Sequence, residues 1–341
     1  MKVFVPYLLT LLCAAGVTAA LLPLLRRYAA RLFMDQPGGP LKKHAHATPV
    51  VGGIAVFAGT WTALVALRLL TAFPSGTLRT LRGVLIGGTL IFFMGLVDDL
   101  KKPNGLPVSV KLLVQALATG ALVYYGVFIH AFSSPWVSLP LTFLWIVGLT
   151  NAFNLLDIMD GLCVSQAVVC TLGLTLIALP GEYLYVNFAA LALLGACLAF
   201  WPFNHAKRKV FLGDSGSNLL GFLVAALSIG TAYSEQTNWG FLAPLFLAAV
   251  PLFDTSFVVL ARLVKGKNPL RGSNDHLALR LKNKGYSPRT IVLALIFCGV
   301  CFNLFAYWLT RCSGGVALGL FAVAAVLLGA ATGWLLHLKA E

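Results

Sequence analysis

Long apolar stretches follow one another along almost the whole chain, and they decide what it can fold into. The 341 residues are 59% hydrophobic and only 11% charged, whereas a soluble domain carries about 25% charged residues. A helix needs about 20 apolar residues to cross a bilayer, and about eleven stretches approach that length. They cover roughly residues 3–25, 50–72, 82–98, 110–128, 136–153, 162–180, 184–203, 217–234, 239–261, 290–310 and 315–337.

This pattern predicts an all-α, polytopic integral membrane protein with about eleven transmembrane helices, forming a single domain over residues 1–341. A membrane β-barrel would show segments of about ten residues with alternating polarity instead. The first apolar stretch is followed by Arg26, Arg27 and Arg31 rather than by a small-residue cleavage site. We therefore interpret it as a retained helix and not as a signal peptide.

Basic residues predict the orientation in the membrane. The net charge is +14, and most of the 25 lysines and arginines fall in the odd-numbered loops between the apolar stretches. Cytoplasmic loops carry such an excess, so the odd loops should be cytoplasmic, with the N-terminus outside and the C-terminus inside. The even loops and the N-terminus hold only Lys2, Arg68, Arg79, Arg82 and Arg311.

Aspartates are concentrated on the same side. By the loop count, Glu182 and Glu235 lie outside, while the aspartates lie toward the cytoplasmic face. Charge balance alone would scatter acidic residues over both faces. A one-sided cluster of aspartates among basic residues indicates a site for a metal ion and phosphate at the cytoplasmic surface. Its members are Asp35, Asp98, Asp99, Asp157, Asp160, Asp214, Asp254 and Asp275.

The segment NAFNLLDIMDGL carries Asn151, Asn154, Asp157 and Asp160 at every third position. On one helix this spacing gives a single polar stripe, which must face protein, water or an ion rather than lipid. The stripe favours a divalent ion and a phosphorylated substrate. The alternative is a polar seam that holds helices together.

Two further motifs lie at helix ends. Asp98 and Asp99 end the third apolar stretch, either as functional acids or as solvated acids facing Lys101 and Lys102. In VFLGDSGSNLLGF, Gly213 and Ser215 flank Asp214. A glycine-rich helix start offers free N–H groups to phosphate, although an ordinary capped helix start would look similar.

Three other features are weaker. Asp275, His276 and Arg280 could contact a nucleotide or phosphate, or lie in a solvated basic loop. For Lys42 and His44, contact with phosphate and the general positive charge of a cytoplasmic loop are about equally good explanations. Asp254 lies in an apolar stretch, where an acid serves function or bonds a neighbouring helix. The cysteines, mostly inside apolar stretches, are interpreted as small packing residues.

Taken in order, VDD, NAFNLLDIMDGL, VFLGDSGSNLLGF and PLFDT with a later DHLALRL resemble the polyprenyl-phosphate N-acetylhexosamine-1-phosphate transferases, over roughly residues 35–290. The resemblance implies transfer of a sugar-1-phosphate from a UDP-sugar to a polyprenyl phosphate such as undecaprenyl phosphate, with release of UMP. It implies Mg2+, or Mn2+, and a cytoplasmic-face active site in the bacterial inner membrane. A homodimer is a family-level expectation, and no nucleic-acid partner is expected.

The matched motif positions imply roles for individual residues. The resemblance implies catalytic roles for Asp98, Asp99, Asp157 and Asp160. It implies that Asp214 binds the metal, supported by Asn154 and Asp157. Lys42, His44 and His276 match basic and histidine positions that bind substrate. The remaining candidate substrate contacts come from the motifs themselves: Lys101, Asn151, Gly213, Ser215, Asp275 and Arg280.

Some positions depart from the family pattern. Ala278 and Leu279 stand where further histidines are expected, and Ile158 stands where many members have glycine. The segments typical of the branch that transfers phospho-N-acetylmuramoyl-pentapeptide are absent, which favours the branch that uses UDP-N-acetylglucosamine-type donors.

Three rival functions fit the sequence less well. An ion-coupled carrier would bind near the membrane midplane and show internal repeats. An inactive relative would explain why histidines are missing at Ala278 and Leu279. A CDP-alcohol phosphotransferase would carry DGxxAR, but Asp160-Gly161 is followed by Leu-Cys-Val.

Overall fold

The protein is built almost entirely of helices, which confirms the predicted all-α membrane class. The computed structural model describes residues 4–29, 34–35, 47–70, 75–180, 184–205, 210–231, 233, 239–268 and 273–338. Within these residues, seven helices are long and apolar enough to cross a membrane, or eight if one bent pair forms a single span. The predicted number of eleven spans is not confirmed.

The chain divides into two compact units, residues 1–231 and 232–341. In its described residues, the first contains a two-residue antiparallel pair, β1 (Met34–Asp35) and β2 (Thr48–Pro49), and eight helices: α1 (Phe4–Tyr28), α2 (Gly52–Leu70), α3 (Ser75–Leu100), α4 (Val108–Tyr124), α5 (Pro135–Leu156), α6 (Leu162–Ala178), α7 (Leu184–His205) and α8 (Gly213–Ile229). The second contains a 3-10 turn (Gly240–Leu242), α9 (Ala243–Leu247), α10 (Ala249–Val264), α11 (Leu277–Asn283), α12 (Pro288–Leu309) and α13 (Gly314–His337). The single domain over residues 1–341 stays a prediction.

Three of the helices are short, and one apolar stretch is broken. The helices α4, α6 and α8 have only 17 residues each, and a helix rises 1.5 Å per residue. The ninth apolar stretch is divided at Ala248, where the path bends by 71° between Gly240–Leu247 and Ala249–Val264. The count of seven or eight leaves out α4, α6 and α8, whose 17 residues lie at the lower limit of length for a membrane span.

The polar stripe of the segment NAFNLLDIMDGL does not lie on one helix, so that prediction is wrong. Helix α5 ends at Leu156, and Asp157 takes up a non-helical backbone conformation with φ −78° and ψ 45°. The chain then turns through Asp160 and Gly161 before α6 begins. Short polar side chains compete with helical hydrogen bonds at such ends, which explains why the stripe continues into a turn.

Helix α8 forms the centre of the first unit. Every residue from Ser215 to Ser228 is buried, and α8 packs against α2, α3 and α5. The segment before α8 also runs beside the start of α2, where Gly52 and Gly53 donate their N–H groups to the carbonyls of Phe211 and Leu212 at 3.0 and 2.9 Å. The N-terminal end of α8 is thereby held against the elements that carry the aspartates.

Gly95 allows α3 to approach α8 at backbone distance. A Cβ atom at this position would lie 2.4 Å from the carbonyl oxygen of Asp214 and 2.5 Å from the Cα of Ser215. Both neighbours are backbone atoms, so they cannot move aside as a flexible side chain could. Only glycine allows α3 this close to the first turn of α8.

We expect Gly95→Ala to destabilise the protein by about 1–3 kcal/mol, the usual cost of overpacking a close contact. Thermal unfolding in detergent should show a lower midpoint than wild type. Gly120→Ala is the matched control, because nothing lies within 4 Å of a Cβ there and Gly120 is exposed. Equal midpoints for the two variants would contradict the close approach of α3 and α8.

Candidate active site

The first turn of α8 brings Asp214 next to a side chain from the end of α5. Asn154 donates its amide to Asp214 Oδ1 at 3.2 Å and to Ser217 Oγ at 3.0 Å. The Asp214 side chain keeps 24% of its surface exposed. Two oxygen-bearing residues predicted to bind metal are therefore adjacent, and one of them is open to solvent.

Asp99 and Lys102, from the end of α3 and the turn after it, complete this cluster. The two carboxylate oxygens of Asp99 accept the N–H groups of Asp214 and Ser215, both at 2.9 Å. The Lys102 ammonium lies 2.9 Å from Asp99 Oδ1 and 3.6 Å from Asp214 Oδ1. The two aspartates thus share one cation. We call Asp99, Lys102, Asn154 and Asp214 the acidic cluster.

Asp98 interacts with the Asp214 side chain and also bonds to a different part of the structure. Its carboxylate accepts the N–H of Leu106 and the ammonium of Lys111, both at 2.5 Å, and its side chain is 3% exposed. It thereby connects α3 to the loop before α4 and to the first turn of α4. Sequence reasoning counted Lys111 only toward the charge excess and missed this contact, which no local motif signals.

Asp157 and Asp160 lie in the turn after α5. Burial, followed by the charges of Asp214, Asp99 and Asp160, raises the pKa of Asp157 to about 7, although Lys102 lowers it. Closely spaced carboxylates repel one another when ionised. The turn therefore places a carboxyl group with a raised pKa, that of Asp157, close to the acidic cluster.

Asn151 makes contacts within the bundle. Its amide donates to Gln115 Oε1 on α4 at 3.0 Å and to the carbonyl of Val147 at 2.7 Å. Gln115 is fully buried, and sequence reasoning missed it. The alternative that polar residues join helices therefore holds for this member of the motif, and substrate binding by Asn151 stays a prediction.

The remaining predicted substrate contacts in the first unit differ in accessibility. Gly213 has a φ of +77°, and the Ser215 side chain is fully buried. Two N–H groups that the helix start seemed to offer to phosphate, those of Asp214 and Ser215, are already bonded to Asp99. Lys101 is exposed, whereas Lys42 and His44 lie outside the described residues.

Oxygen donors in and beside the acidic cluster fit a divalent ion such as Mg2+. Carboxylate and amide oxygens are hard ligands, and the Lys102 ammonium already lies where positive charge is favoured. Among the residues that the structure describes, no three His, Cys, Asp or Glu side chains form a group that could hold an ion by themselves. Mg2+ keeps several waters and needs only one or two carboxylates, so these donors suit it without a closed cage.

The second unit contains its own buried polar network, centred on Arg280. The guanidinium donates to the carbonyls of Leu335 and Leu338 at 2.9 and 2.6 Å, and to Asp275 Oδ1 at 2.7 Å. Asp275 also accepts the Lys265 ammonium and the Ser273 hydroxyl. Although burial raises the pKa of Asp275, these hydrogen bonds lower it to about 2.

His276 and Asp254 form a buried pair in the same unit. His276 Nδ1 lies 2.7 Å from Asp254 Oδ2, and the N–H of Leu277 donates to Asp254 Oδ1 at 2.8 Å. Asp275, His276 and Arg280 are 5%, 3% and 2% exposed, so the alternative of a solvated basic loop is wrong. Asp254 bonds a neighbouring helix, and substrate contacts by Asp275, His276 and Arg280 stay predictions.

The part of the chain that contains the acidic cluster matches a known protein family. Residues 81–232, which run from α3 to just beyond α8, match the model of glycosyl transferase family 4. A probable undecaprenyl-phosphate N-acetylglucosaminyl 1-phosphate transferase of Bacillus subtilis (strain 168) is 30% identical over 333 residues. The match covers 94% of this chain and 88% of that protein.

Two other relatives have similar sequence identity, one over the same share of this chain and one over a smaller share. A decaprenyl-phosphate N-acetylglucosaminephosphotransferase of Mycobacterium tuberculosis (strain ATCC 25618 / H37Rv) is 29% identical, covering 94% of this chain and 86% of that protein. A phospho-N-acetylmuramoyl-pentapeptide-transferase of Streptococcus equi subsp. zooepidemicus (strain MGCS10565) is 31% identical, covering 73% of this chain and 78% of that protein. The two N-acetylglucosamine relatives thus match more of the chain.

We expect Arg280→Met to destabilise the protein by about 3–5 kcal/mol, because it leaves carbonyls at the end of α13 unpaired and removes a buried partner of Asp275. Thermal unfolding in detergent should show a clearly lower midpoint. Arg289→Met is the matched control, since Arg289 is exposed in the first turn of α12. A wild-type midpoint for Arg280→Met would show that the network contributes little to stability.

Proposed function

This chain belongs to glycosyl transferase family 4, and on that basis we propose that it transfers a sugar-1-phosphate from a UDP-sugar to a polyprenyl phosphate. N-acetylglucosamine-1-phosphate, or a related N-acetylhexosamine-1-phosphate, is the proposed group. The two relatives that match most of the chain are named as N-acetylglucosamine phosphotransferases acting on undecaprenyl or decaprenyl phosphate. The reaction would be the first membrane step of a cell-envelope glycan pathway.

One observation carries this proposal beyond the similarity. Carboxylates, an amide and an ammonium meet at the junction of α3, α5 and α8, where Asp214 stays partly exposed. Both proposed substrates are anions, so a site that joins them must offset their repulsion before they react. Oxygen ligands for a divalent ion beside a lysine suit that task.

The proposed reaction forms one bond and breaks one. An oxygen of the acceptor's phosphate attacks the sugar-bearing phosphorus of the UDP-sugar, forming a new P–O–P linkage. The bond from that phosphorus to the oxygen of UMP breaks, and UMP leaves with the electron pair. No oxidation takes place, and no proton has to be removed from an ionised acceptor.

Asp214 is the proposed principal ligand for Mg2+, with Asn154 and Asp157 in support and Mn2+ as an alternative ion. When bound, the ion would neutralise the diphosphate and stabilise the charge of the leaving UMP. Asn154 holds Asp214 Oδ1 through its amide, which orients the carboxylate. Asp160 is proposed to act near the nucleotide, as its motif position implies.

Lysines and Asp98 are proposed to handle the acceptor phosphate. Lys101 and Lys102 follow α3 directly and would attract the lipid phosphate to the membrane surface. Asp98 would orient the acceptor or act as its base. A phosphate monoester with a second pKa of about 6 is already largely ionised at neutral pH, so base catalysis would add little.

Several finer statements belong to the proposal as well. The active site would face the cytoplasm of a bacterial inner membrane, with the N-terminus outside and the C-terminus inside. Asp275, His276 and Arg280 are proposed substrate contacts from the family resemblance, and the homodimer stays a family-level expectation.

The function is tested by measuring UMP release from detergent-purified protein supplied with undecaprenyl phosphate, Mg2+ and a panel of UDP-sugars. We expect lipid-dependent release with UDP-N-acetylglucosamine or a related UDP-N-acetylhexosamine. EDTA should abolish the release, and an assay without lipid should show none. Absence of release with every donor, from protein that unfolds cooperatively, would favour an inactive relative that binds its ligands only.

The roles of Asp98 and Asp214 are separated by matched substitutions. We expect Asp214→Asn to lower metal-dependent turnover by at least about a hundredfold, because a principal ligand for the ion is lost. Asp98→Asn should retain more turnover if Asp98 only orients an already ionised acceptor. Steady-state rates at several Mg2+ concentrations distinguish the two. Near-normal turnover for Asp214→Asn would refute its role as the metal ligand.

A further inference from the structure

The N-terminus of α8 is capped by a residue from another helix. Its own N-cap residue is Leu212, which makes no capping hydrogen bond with its side chain. The N–H groups in the first turn of a helix have no partner within the helix. Here those of Asp214 and Ser215 donate to the two carboxylate oxygens of Asp99 at 2.9 Å each. Asp99 thus supplies from α3 what an N-cap aspartate normally supplies locally.

The backbone conformation at Gly213 leaves room for the Asp99 carboxylate. Gly213 has a φ of +77°, which L-residues with a side chain rarely adopt. A Cβ atom on Gly213 would lie 2.6 Å from Asp99 Oδ2. The glycine therefore leaves the space that the Asp99 carboxylate fills, and the negative charge is favoured by the positive end of the α8 dipole.

Asp99 has little capacity left for direct chemistry. Its side chain is 1% exposed, and Lys102 contacts the same oxygen that accepts the Asp214 N–H. Asp214, in contrast, keeps 24% of its side chain exposed. A substrate phosphate at the N–H groups of Asp214 and Ser215 would have to expel Asp99 and leave a buried charge without its donors, which is costly.

We propose that Asp99 is a positioning residue that holds the first turn of α8, and through it Asp214, in the geometry needed to bind a divalent ion. Asp98 does not share this capping role, because it accepts neither N–H group of the α8 turn. It bonds to Leu106 and Lys111, and its side chain also interacts with that of Asp214. Of the two adjacent aspartates, only Asp99 therefore caps α8. The inference rests on the proposed function only in assigning the metal to Asp214.

Hydrogen exchange and metal binding test this role in the purified full-length protein. We compare wild type with Asp99→Asn, Gly213→Ala, Asp98→Asn and Asp214→Asn, using exchange in peptides that cover residues 210–220 and Mn2+ affinity from the electron paramagnetic resonance of free Mn2+. Asn104→Ala, at an exposed loop position, is the neutral control.

Asp99→Asn should speed exchange of the Asp214 and Ser215 amides by about tenfold, the usual effect of losing a cap, and weaken Mn2+ binding by a similar factor. Gly213→Ala should give the same two changes although the Asp99 carboxylate is still present, because its Cβ would displace that carboxylate. Asp214→Asn should abolish Mn2+ binding without speeding exchange. Asp98→Asn should leave exchange of the two amides at the wild-type level, because Asp98 accepts neither of them. Asn104→Ala should leave both readouts at the wild-type level.

Two results would overturn the proposal. If Asp99→Asn lost turnover while exchange and Mn2+ affinity stayed at wild-type values, Asp99 would act in the chemistry itself. If Mn2+ binding were lost without faster exchange, and Gly213→Ala bound Mn2+ normally, Asp99 would be a metal ligand. Should Asp99→Asn not fold, Gly213→Ala alone decides, since normal exchange and affinity there refute the positioning role.

The proposed function can fail separately. If wild type releases no UMP with any donor, yet Asp99→Asn still loosens the α8 amides and weakens Mn2+ binding, positioning by Asp99 stands and the transferase assignment falls.

Discussion

Charged side chains from other elements bond three helix ends in this chain, and the polar sites depend on those bonds. In an apolar environment, unpaired N–H and C=O groups at a helix end have no water to bond. Asp99 caps the start of α8, and Arg280 bonds the last carbonyls of α13. Asp254 accepts the Leu277 N–H at the start of α11. Charged side chains thereby connect helices that are distant in sequence.

This arrangement ties stability to function in the first unit. The same carboxylate that completes the backbone of α8 also contacts Lys102, which in turn lies near Asp214. A change at any of the three alters the charge and the geometry felt by the others, and effects of neighbouring substitutions are then not additive. Loss of activity in a single variant is therefore weak evidence for a direct chemical role of that residue.

Much of the molecule could be predicted from sequence, for identifiable reasons. Apolar length predicts helices because the bilayer imposes it, and every predicted stretch corresponds to helical structure in the described residues. Asn154, Asp99 and Asp214 do meet, as the motifs suggested. The end of α5 at Leu156 and the bend at Ala248 were missed, because periodicity reports which face a residue occupies and not where a helix stops.

The bonding partners of the site residues were harder to predict than the positions of those residues in the sequence. Nothing near Leu212 signals that an aspartate more than a hundred residues away caps α8, since local capping rules look only at neighbouring residues. Lys111 and Gln115 were missed for the same reason, because each acts through a contact with another element. In the second unit, Ala278 is buried where the family pattern expects histidine.

The two adjacent aspartates illustrate why a motif does not define a shared role. Consecutive residues on a helix point about 100° apart, because the helix turns once every 3.6 residues. From the end of α3, Asp99 therefore reaches α8, while Asp98 reaches Leu106 and Lys111. Each carboxylate joins α3 to a different neighbour, and together they fix the spacing of three elements around one surface. The two adjacent acids thus connect different elements, and the partly exposed Asp214 lies beside them.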